Sequence, residues 1–462
     1  MNIHIKSILG AFAFSFLFYS KSLGLNVILF SIIVTILLSG RAFQWRYAVP
    51  YLLTAMMVFI DPSGFQMFVH FVALVVFMGK SIAAKSSLYL ATFAGLINVF
   101  VGALVHWVNY TNSNPKRPKN LSPKIVNYLL GSVVSVGLLL LFMMLYSNAN
   151  PVFSDILASI DLDFISLPWM IFTLLGYALF LNLLWPYYPT ELIAFDAANG
   201  NDLARPTATF SQDRLSKLER EHTVGSMVLG VLNLLLVFFL ITDVIYLLGP
   251  DITRYADYSN SVHQGVYALM FSIVVAIGII LYFFRGDLNF YEGNTTIKRL
   301  TYTWVILNLI LVAFTFYKNY SYVEALGLTY KRIGVFVYLF ITITGLATAF
   351  FKVSKTKNFM YLMRSNFVVV FAILICSAGV PWDRTITWYN LSHLEKPDVT
   401  YLLDLGSSNL VQLNDYRIAR GKGLIMEQDQ AINDRYQAFL KVQDEKTWQE
   451  YNWYQWTQFL RK

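Results

Sequence analysis

From Ile8 to Val380 the chain keeps returning to uncharged apolar runs, among them Met227 to Leu248 (MVLGVLNLLLVFFLITDVIYLL) and Ile333 to Phe351 (IGVFVYLFITITGLATAFF). A helix rises about 1.5 Å per residue, so about 20 apolar residues cross about 30 Å of hydrocarbon. Soluble domains rarely carry even one such run. Lipid therefore solvates most of this chain, and any chemistry has to sit in polar residues that a bilayer otherwise expels.

The rest of the composition agrees. With 56% hydrophobic and 13% charged residues, a chain of 462 has too few polar groups to cover a water-facing surface. Its net charge of +8 falls in short loops between apolar runs, which reads as topology and not as a nucleic-acid footprint. The single cysteine, Cys376, excludes an internal disulfide and a multi-cysteine metal site, and reads as a small core residue. The first residues (MNIHIKSILGAFAFSFLFYSKS) resemble a signal peptide but lack a small-x-small cleavage site and lead into another run, so they read as a retained helix.

The runs give candidate spans at 8–19, 26–39, 47–60, 65–79, 88–108, 125–146, 167–185, 225–248, 266–284, 300–317, 333–351 and 367–380, the first, third, fourth and last being short. The expected class is all-α, a polytopic transmembrane helical bundle of eleven or twelve spans. It divides into an N-terminal membrane region of unsettled topology (1–110), a main transmembrane domain (111–380) and a small extramembrane helical tail (381–462).

Lys and Arg concentrate in alternate loops, with Lys116 to Lys124, Arg205 to Arg220, Arg285 to Arg299 and Lys352 to Arg364 on one side. The intervening loops hold only Arg254, Lys318, Lys331 and Arg332. The basic set is therefore cytoplasmic and the tail emerges outside an inner membrane. Arg41, Arg46, Lys80 and Lys85 also suit the cytoplasm, yet a full crossing by 88–108 sets them opposite Lys116, so that segment lies in the interface or re-enters, or the first spans are miscounted.

Two extramembrane segments read as helices. SQDRLSKLEREH, with Ser211 as N-cap, is an amphipathic lead-in to the span after it. In the tail, 427–443 and 444–460 show apolar and aromatic residues at spacings of three and four. They predict a helical hairpin with Trp448 near the centre of its core, facing Leu402, Leu405, Tyr436 and Leu440.

The sequence shows no phosphate loop, nucleophile elbow or metal-spaced histidine pair, so no catalytic residue, metal ligand or cofactor is expected. His70 and His106 read as packing or interfacial histidines. Asp161 and Asp163 resemble an acidic metal-holding pair, though so short a pattern recurs by chance. What stands out is a polar cluster near span ends on the tail side: Asp243, Asp257, Tyr258, His263, Tyr320, Glu324, Arg332, Asp383 and Arg384. Either these converge in a vestibule or they pair with one another to hold the spans in register, Glu324 and Arg332 with neighbouring loops and His263 close by. Asp243 lies deepest, where an ionised carboxylate needs a partner or water.

Several segments carry a family resemblance. NANPVFSDILASIDLDF (148–164), GSMVLGVLNLLLVFFLITDVIYLLG (225–249), ITRYADYSNSVHQGVYAL (252–269), YSYVEALGLTYKRIGV (320–335), DVTYLLDL (398–405) and TWQEYNWYQW (447–456) occur in the order seen in bacterial membrane proteins of the domain-of-unknown-function families 4153 and 4173, which this chain resembles. One departure is Asp243, where those families carry a glutamine-like polar residue. The resemblance implies a membrane protein and no particular activity. The expected function is non-enzymatic, either moving a solute or lipid or scaffolding an envelope complex, with membrane lipids and other envelope membrane proteins as partners and no nucleic acid. The rival is a membrane-embedded transferase acting on a lipid-linked donor at the outer face.

Overall fold

The apolar runs fold as helices. The computed structural model describes residues 2–39, 44–105, 166–206, 210–248, 272–420, 425–454 and the single positions 108, 135, 138, 142, 146, 150 and 457, with no strand among them. The membrane helices are α1 (Ile3–Phe18), α2 (Leu25–Ser39), α3 (Trp45–Ile60), α4 (Gly64–Ile82), α5 (Leu88–Phe100) and α6 (Leu167–Leu184). After a short α7 (Thr190–Ala198) come α8 (Gln212–Leu248), α9 (Ser272–Phe283), α10 (Thr295–Leu326), α11 (Tyr330–Ser354) and α12 (Phe359–Ala378). The tail adds α13 (Trp382–His393), α14 (Val399–Asp404), α15 (Leu410–Arg420) and α16 (Met426–Asp444).

Among the described residues α4, α6, α8, α10, α11 and α12 are long and apolar enough to cross a bilayer, while α1, α2, α3, α5 and α9 are shorter apolar helices. On α8, Leu234, Leu235, Phe238 and Ile245 are each more than half exposed. Water would not tolerate such a strip, and lipid does. The chain is thus an all-α polytopic membrane bundle. Two of the runs read as short are longer than expected: α12 starts earlier, capped by Asn358, and α4, capped by Ser63, runs on through Lys80 to Ile82. Cys376 is exposed on α12, contrary to its reading as a core residue. The candidate span 125–146, the Asp161 and Asp163 pair and His106 lie outside the described residues, apart from the isolated positions given above.

Two apolar cores form. One gathers α1 to α6 around Tyr51, Phe77 and Phe180, the other α8 to α11 around Leu229, Ile280, Phe284 and Leu346. Helix α12 packs on α3, α4 and α5 of the first bundle and on α11 of the second, so it forms the seam. Within the first, α4 and α5 approach closely: a Cβ on Gly79 would lie 1.7 Å from the Ala91 carbonyl oxygen, and one on Gly95 1.9 Å from that of Val75. Small residues let membrane helices pack backbone to backbone, where apolar burial alone discriminates little between helix and lipid.

The asparagines buried in these faces close backbone ends. Asn98 exchanges two hydrogen bonds with the backbone of Tyr187, at 2.9 and 2.7 Å, and also donates to the Ala94 carbonyl (2.8 Å). Asn182 likewise holds the Val99 carbonyl (3.0 Å) and the Ala103 N–H (2.9 Å). These amides satisfy the chain where α5 and α6 stop, so α5 ends after 13 residues. His70 stacks on Tyr51 and hydrogen-bonds Thr54, as a packing histidine does.

Charges meet at the end of the bundle away from the tail. Arg364 donates to the Asp196 carboxylate (2.9 Å) and to the carbonyls of Asp196 and Asn199; Asp196 also accepts from Ser87 N–H and the Tyr89 hydroxyl. Burial raises the Asp196 pKa, but the Ser87 N–H and the Arg364 guanidinium outweigh it and hold the carboxyl below its ordinary range. Arg214 pairs with Asp287, Arg285 with Glu221 and Lys357 with Asp202. Lys80 reaches the Ser86 carbonyl beside Asp196, which puts it at the same end as Arg364. The lead-in SQDRLSKLEREH runs without a break into its span as one helix of 37 residues.

Candidate functional site

The tail is a cap seated on both bundles. Its core joins Ile333 of α11 to Ile386, Val399, Leu402, Leu413, Ile432 and Phe439. Its C-terminal part returns to the α1–α2 turn: the Glu450 carboxylate accepts from Ser22 N–H (2.8 Å) and Thr447 N–H (3.0 Å), with Lys21 at 3.7 Å, and Leu25 N–H donates to the Tyr451 carbonyl (2.8 Å). The predicted second helix does not run from 444. Residues 427–443 lie in α16; the chain then makes one 3-10 turn, Trp448–Glu450, closed by a capping box between Thr447 and Glu450, and is helical again at Trp453, Tyr454 and Thr457. Trp448 is 48% exposed and leans on Phe16 of α1, so it is not the centre of the cap core. Leu402, Leu405, Tyr436 and Leu440 do belong to that core.

Between cap and bundles lies a cleft of about 860 Å³. The α3–α4 turn (Pro62 to Phe65), the start of α11 (Thr329 to Arg332), Asp383 of α13, Tyr401 and Asp404 of α14, and Leu405 to Ser407 line it. The α10–α11 turn is shaped by Gly327, whose φ of +84° is a backbone state that L side chains rarely adopt. Asn390 of the cap then clasps the next residue, accepting from Leu328 N–H (2.6 Å) and donating to the Leu328 carbonyl (3.0 Å).

Asp383 is buried, accepting from the Tyr330 hydroxyl (2.6 Å) on one oxygen and the Gly406 N–H (3.1 Å) on the other. Tyr330 N–H donates in turn to the Tyr401 hydroxyl (3.0 Å). Asp61 is a second buried carboxylate, reached by Gln66, which also donates to the Val380 carbonyl. Burial pushes the Asp61 carboxyl up, and the neighbouring Asp383 charge adds to this against the opposing pull of Ser408 and Arg384. The arrangement offers hydroxyls, backbone groups, the cations Lys331 and Arg332, and two carboxylates, Asp404 and the hydrogen-bonded Asp383. It suits binding a polar group, and no three His, Cys, Asp or Glu side chains among the described residues are placed to hold a metal.

A family model described as Domain of unknown function (DUF4153) matches residues 7–416. The chain belongs to this family. No curated protein and no solved structure matches it. The DUF4153 match takes in every wall of the cleft and stops short of α16 and the Trp448–Glu450 turn.

Only part of the polar cluster read from the sequence meets in this DUF4153 member. Arg332 and Asp383 line the cleft, and Arg384 faces a neighbouring cavity. Arg332 donates to the carbonyls of Leu326 and Gly327, its own turn, and not to a carboxylate. Glu324 meets Tyr320, one helical turn earlier in α10. Asp243 stands apart, paired with Lys318 at 2.8 Å. Asp257, Tyr258 and His263 lie outside the described residues. The sequence reading missed Asp61, Tyr330, Tyr401 and Glu450. Asp61 had one available signal, a carboxylate directly following an apolar run that the chain then caps.

Proposed function

We propose that this protein is a multi-pass protein of a bacterial inner membrane that binds a small polar solute or a lipid headgroup in the cap–bundle cleft, and that moves it or presents it to a neighbouring envelope protein without covalent chemistry. The cap faces outward and the loops around Asp196, Arg214 and Lys355 face the cytoplasm, a reading supported by the distribution of Lys and Arg. Kinship to the 4173 family rests on the segments quoted above, and membrane lipids and envelope membrane proteins are the partners this reading needs.

The observation that carries it is the position of the cleft. Its walls come from the first bundle, the second bundle and the cap, so any relative motion of the three changes its shape. Ligand sites favour such junctions, and a site walled by two bundles is what an alternating device requires. Against the transferase reading, Asp383 is buried and holds the Tyr330 hydroxyl and the Gly406 N–H, which leaves Asp404 as the one other carboxylate in the cleft walls.

The test uses the full chain in lipid nanodiscs, screened by thermal shift against amino acids, polyols, sugars and lipid headgroups. A compound that stabilises the wild type is expected to lose its effect in Tyr401→Phe and Ser63→Ala. An effect that survives both variants puts binding elsewhere. Turnover of a lipid-linked sugar donor, lost in Asp404→Asn, establishes the transferase instead.

A further inference from the structure

We propose that a second cavity, walled by the cap and closed on one side by Pro62 of the α3–α4 turn, is a binding site for a hydroxylated organic anion of monosaccharide size: a sugar bearing a phosphate or a carboxylate. This cavity, about 300 Å³, lies on the other side of the α13 start from the cleft described above, so that Asp383 faces one space and Arg384 the other. At that volume it sits at the small end of ligand pockets, which run from about 300 Å³ upward.

Two cations line it, Arg384 and Lys446. Arg384 commits Nε to the Ser408 carbonyl (3.1 Å), and its terminal nitrogens make no hydrogen bond or ion pair among the described residues. The Lys446 ammonium makes no hydrogen bond or ion pair among the described residues. Each cation has a carboxylate within electrostatic reach, Asp61 for Arg384 and Glu450 for Lys446, but neither closes as an ion pair. Glu450 is already held by Ser22 and Thr447. Two half-buried cations without a closed partner favour an anion between them, because a charge-assisted hydrogen bond gains strength as water is excluded.

The remaining walls specify more than charge. Gln412 presents a buried side-chain oxygen with no donor, an acceptor that an anion alone does not satisfy and a hydroxyl does. Trp453, 39% exposed, and Tyr454, packed edge-on to Phe439 at 5.1 Å, supply the flat apolar surface on which the C–H face of a sugar ring lies. Cations, an unpaired acceptor and aromatic rings in so small a space match a sugar anion better than a bare inorganic ion.

Calorimetric titration of the full purified chain in detergent tests this, with glucose 6-phosphate and glucuronate as probes and glucose and inorganic phosphate as controls. Both sugar anions are expected to bind with a Kd below about 1 mM. Glucose, and the sugar anions on Arg384→Gln and Lys446→Gln, are expected to bind about tenfold more weakly, the loss of one charged hydrogen bond. Lys446→Gln breaks no hydrogen bond or ion pair among the described residues, so it keeps the test valid if Arg384→Gln disturbs the cap. Failure of both anions to bind by about 10 mM overturns the site. So does full affinity for glucose, or unchanged affinity in Lys446→Gln. Repeating the titration in phosphatidylglycerol and phosphatidylcholine nanodiscs assigns the source: competition by the anionic lipid makes the natural ligand a lipid headgroup, and equal affinity makes it a soluble sugar anion.

Discussion

Asp243 illustrates what a single residue reveals and conceals. A carboxylate inside an apolar run demands a partner, so its importance was legible in the sequence. Its partner was not, because Lys318 lies 75 positions further on, in another helix. With the side chains 10% and 24% exposed, removing one member leaves a nearly buried charge unpaired. Asp243→Ala is expected to cost roughly 3–5 kcal/mol, most of it regained when Lys318→Met is added. Thermal denaturation of the two variants checks this, and equal stability for single and double variants excludes the pair. Glu450 makes a pH prediction. Burial raises its pKa, but the Ser22 and Thr447 N–H groups dominate and lower it from its ordinary 4.5 to about 2. A depressed carboxylate stabilises the fold fully above the unfolded pKa and progressively less as pH falls from 4.5 toward 2. The stability gap between wild type and Glu450→Gln therefore narrows on acidification through that window; a gap independent of pH would falsify the assignment.

At the scale of elements, apolar length foretold the membrane helices, and the three-and-four spacing foretold α16. The same spacing misled at Trp448, which sits in a 3-10 turn, while Trp453 is helical and Trp456 lies outside the described residues. Helical spacing records which residues share a face if a helix forms, and here Ser22 draws the Glu450 carboxylate out to the α1–α2 turn, after which Tyr451 continues with φ −59° and ψ 132°. The contact that holds this turn comes from the opposite end of the chain. Likewise the cleft was half legible. Arg332 and Asp383 were singled out by charge near span ends, whereas Asp61 is buried only because α13 and the cap fold over it. The cap core accordingly rests on Leu402, which is fully buried, and not on Trp448. Leu402→Ala is expected to cost about 2–5 kcal/mol and to open residues 381–462 to protease in micelles. Trp448→Ala is expected to cost about 1 kcal/mol and leave the cap resistant, since half of its surface never left solvent or lipid. Equal protease sensitivity in the two would return Trp448 to the core.

For the whole molecule, the question is which end faces which compartment. The loop clusters are segregated: Asp196, Asp202, Arg364 and Lys357 meet at one end, while Glu450, Asp383 and the cleft lie at the other. A bundle built this way fixes the two ends relative to each other, and charge then selects the absolute orientation, because basic loops stay in the cytoplasm. The two statements separate experimentally. On a Cys376→Ser background, Gln430→Cys in the cap and Lys355→Cys in the opposite loop are both exposed positions. A membrane-impermeant maleimide added to intact spheroplasts is expected to label position 430 at once and position 355 only after permeabilisation. The reverse pattern would invert the orientation and leave the fold intact, and with it would move the cleft and the cap cavity to the cytoplasmic face. Labelling of both positions from one side contradicts the bundle itself, since no rotation of this architecture brings the Asp202–Lys357 loops and the cap to the same surface.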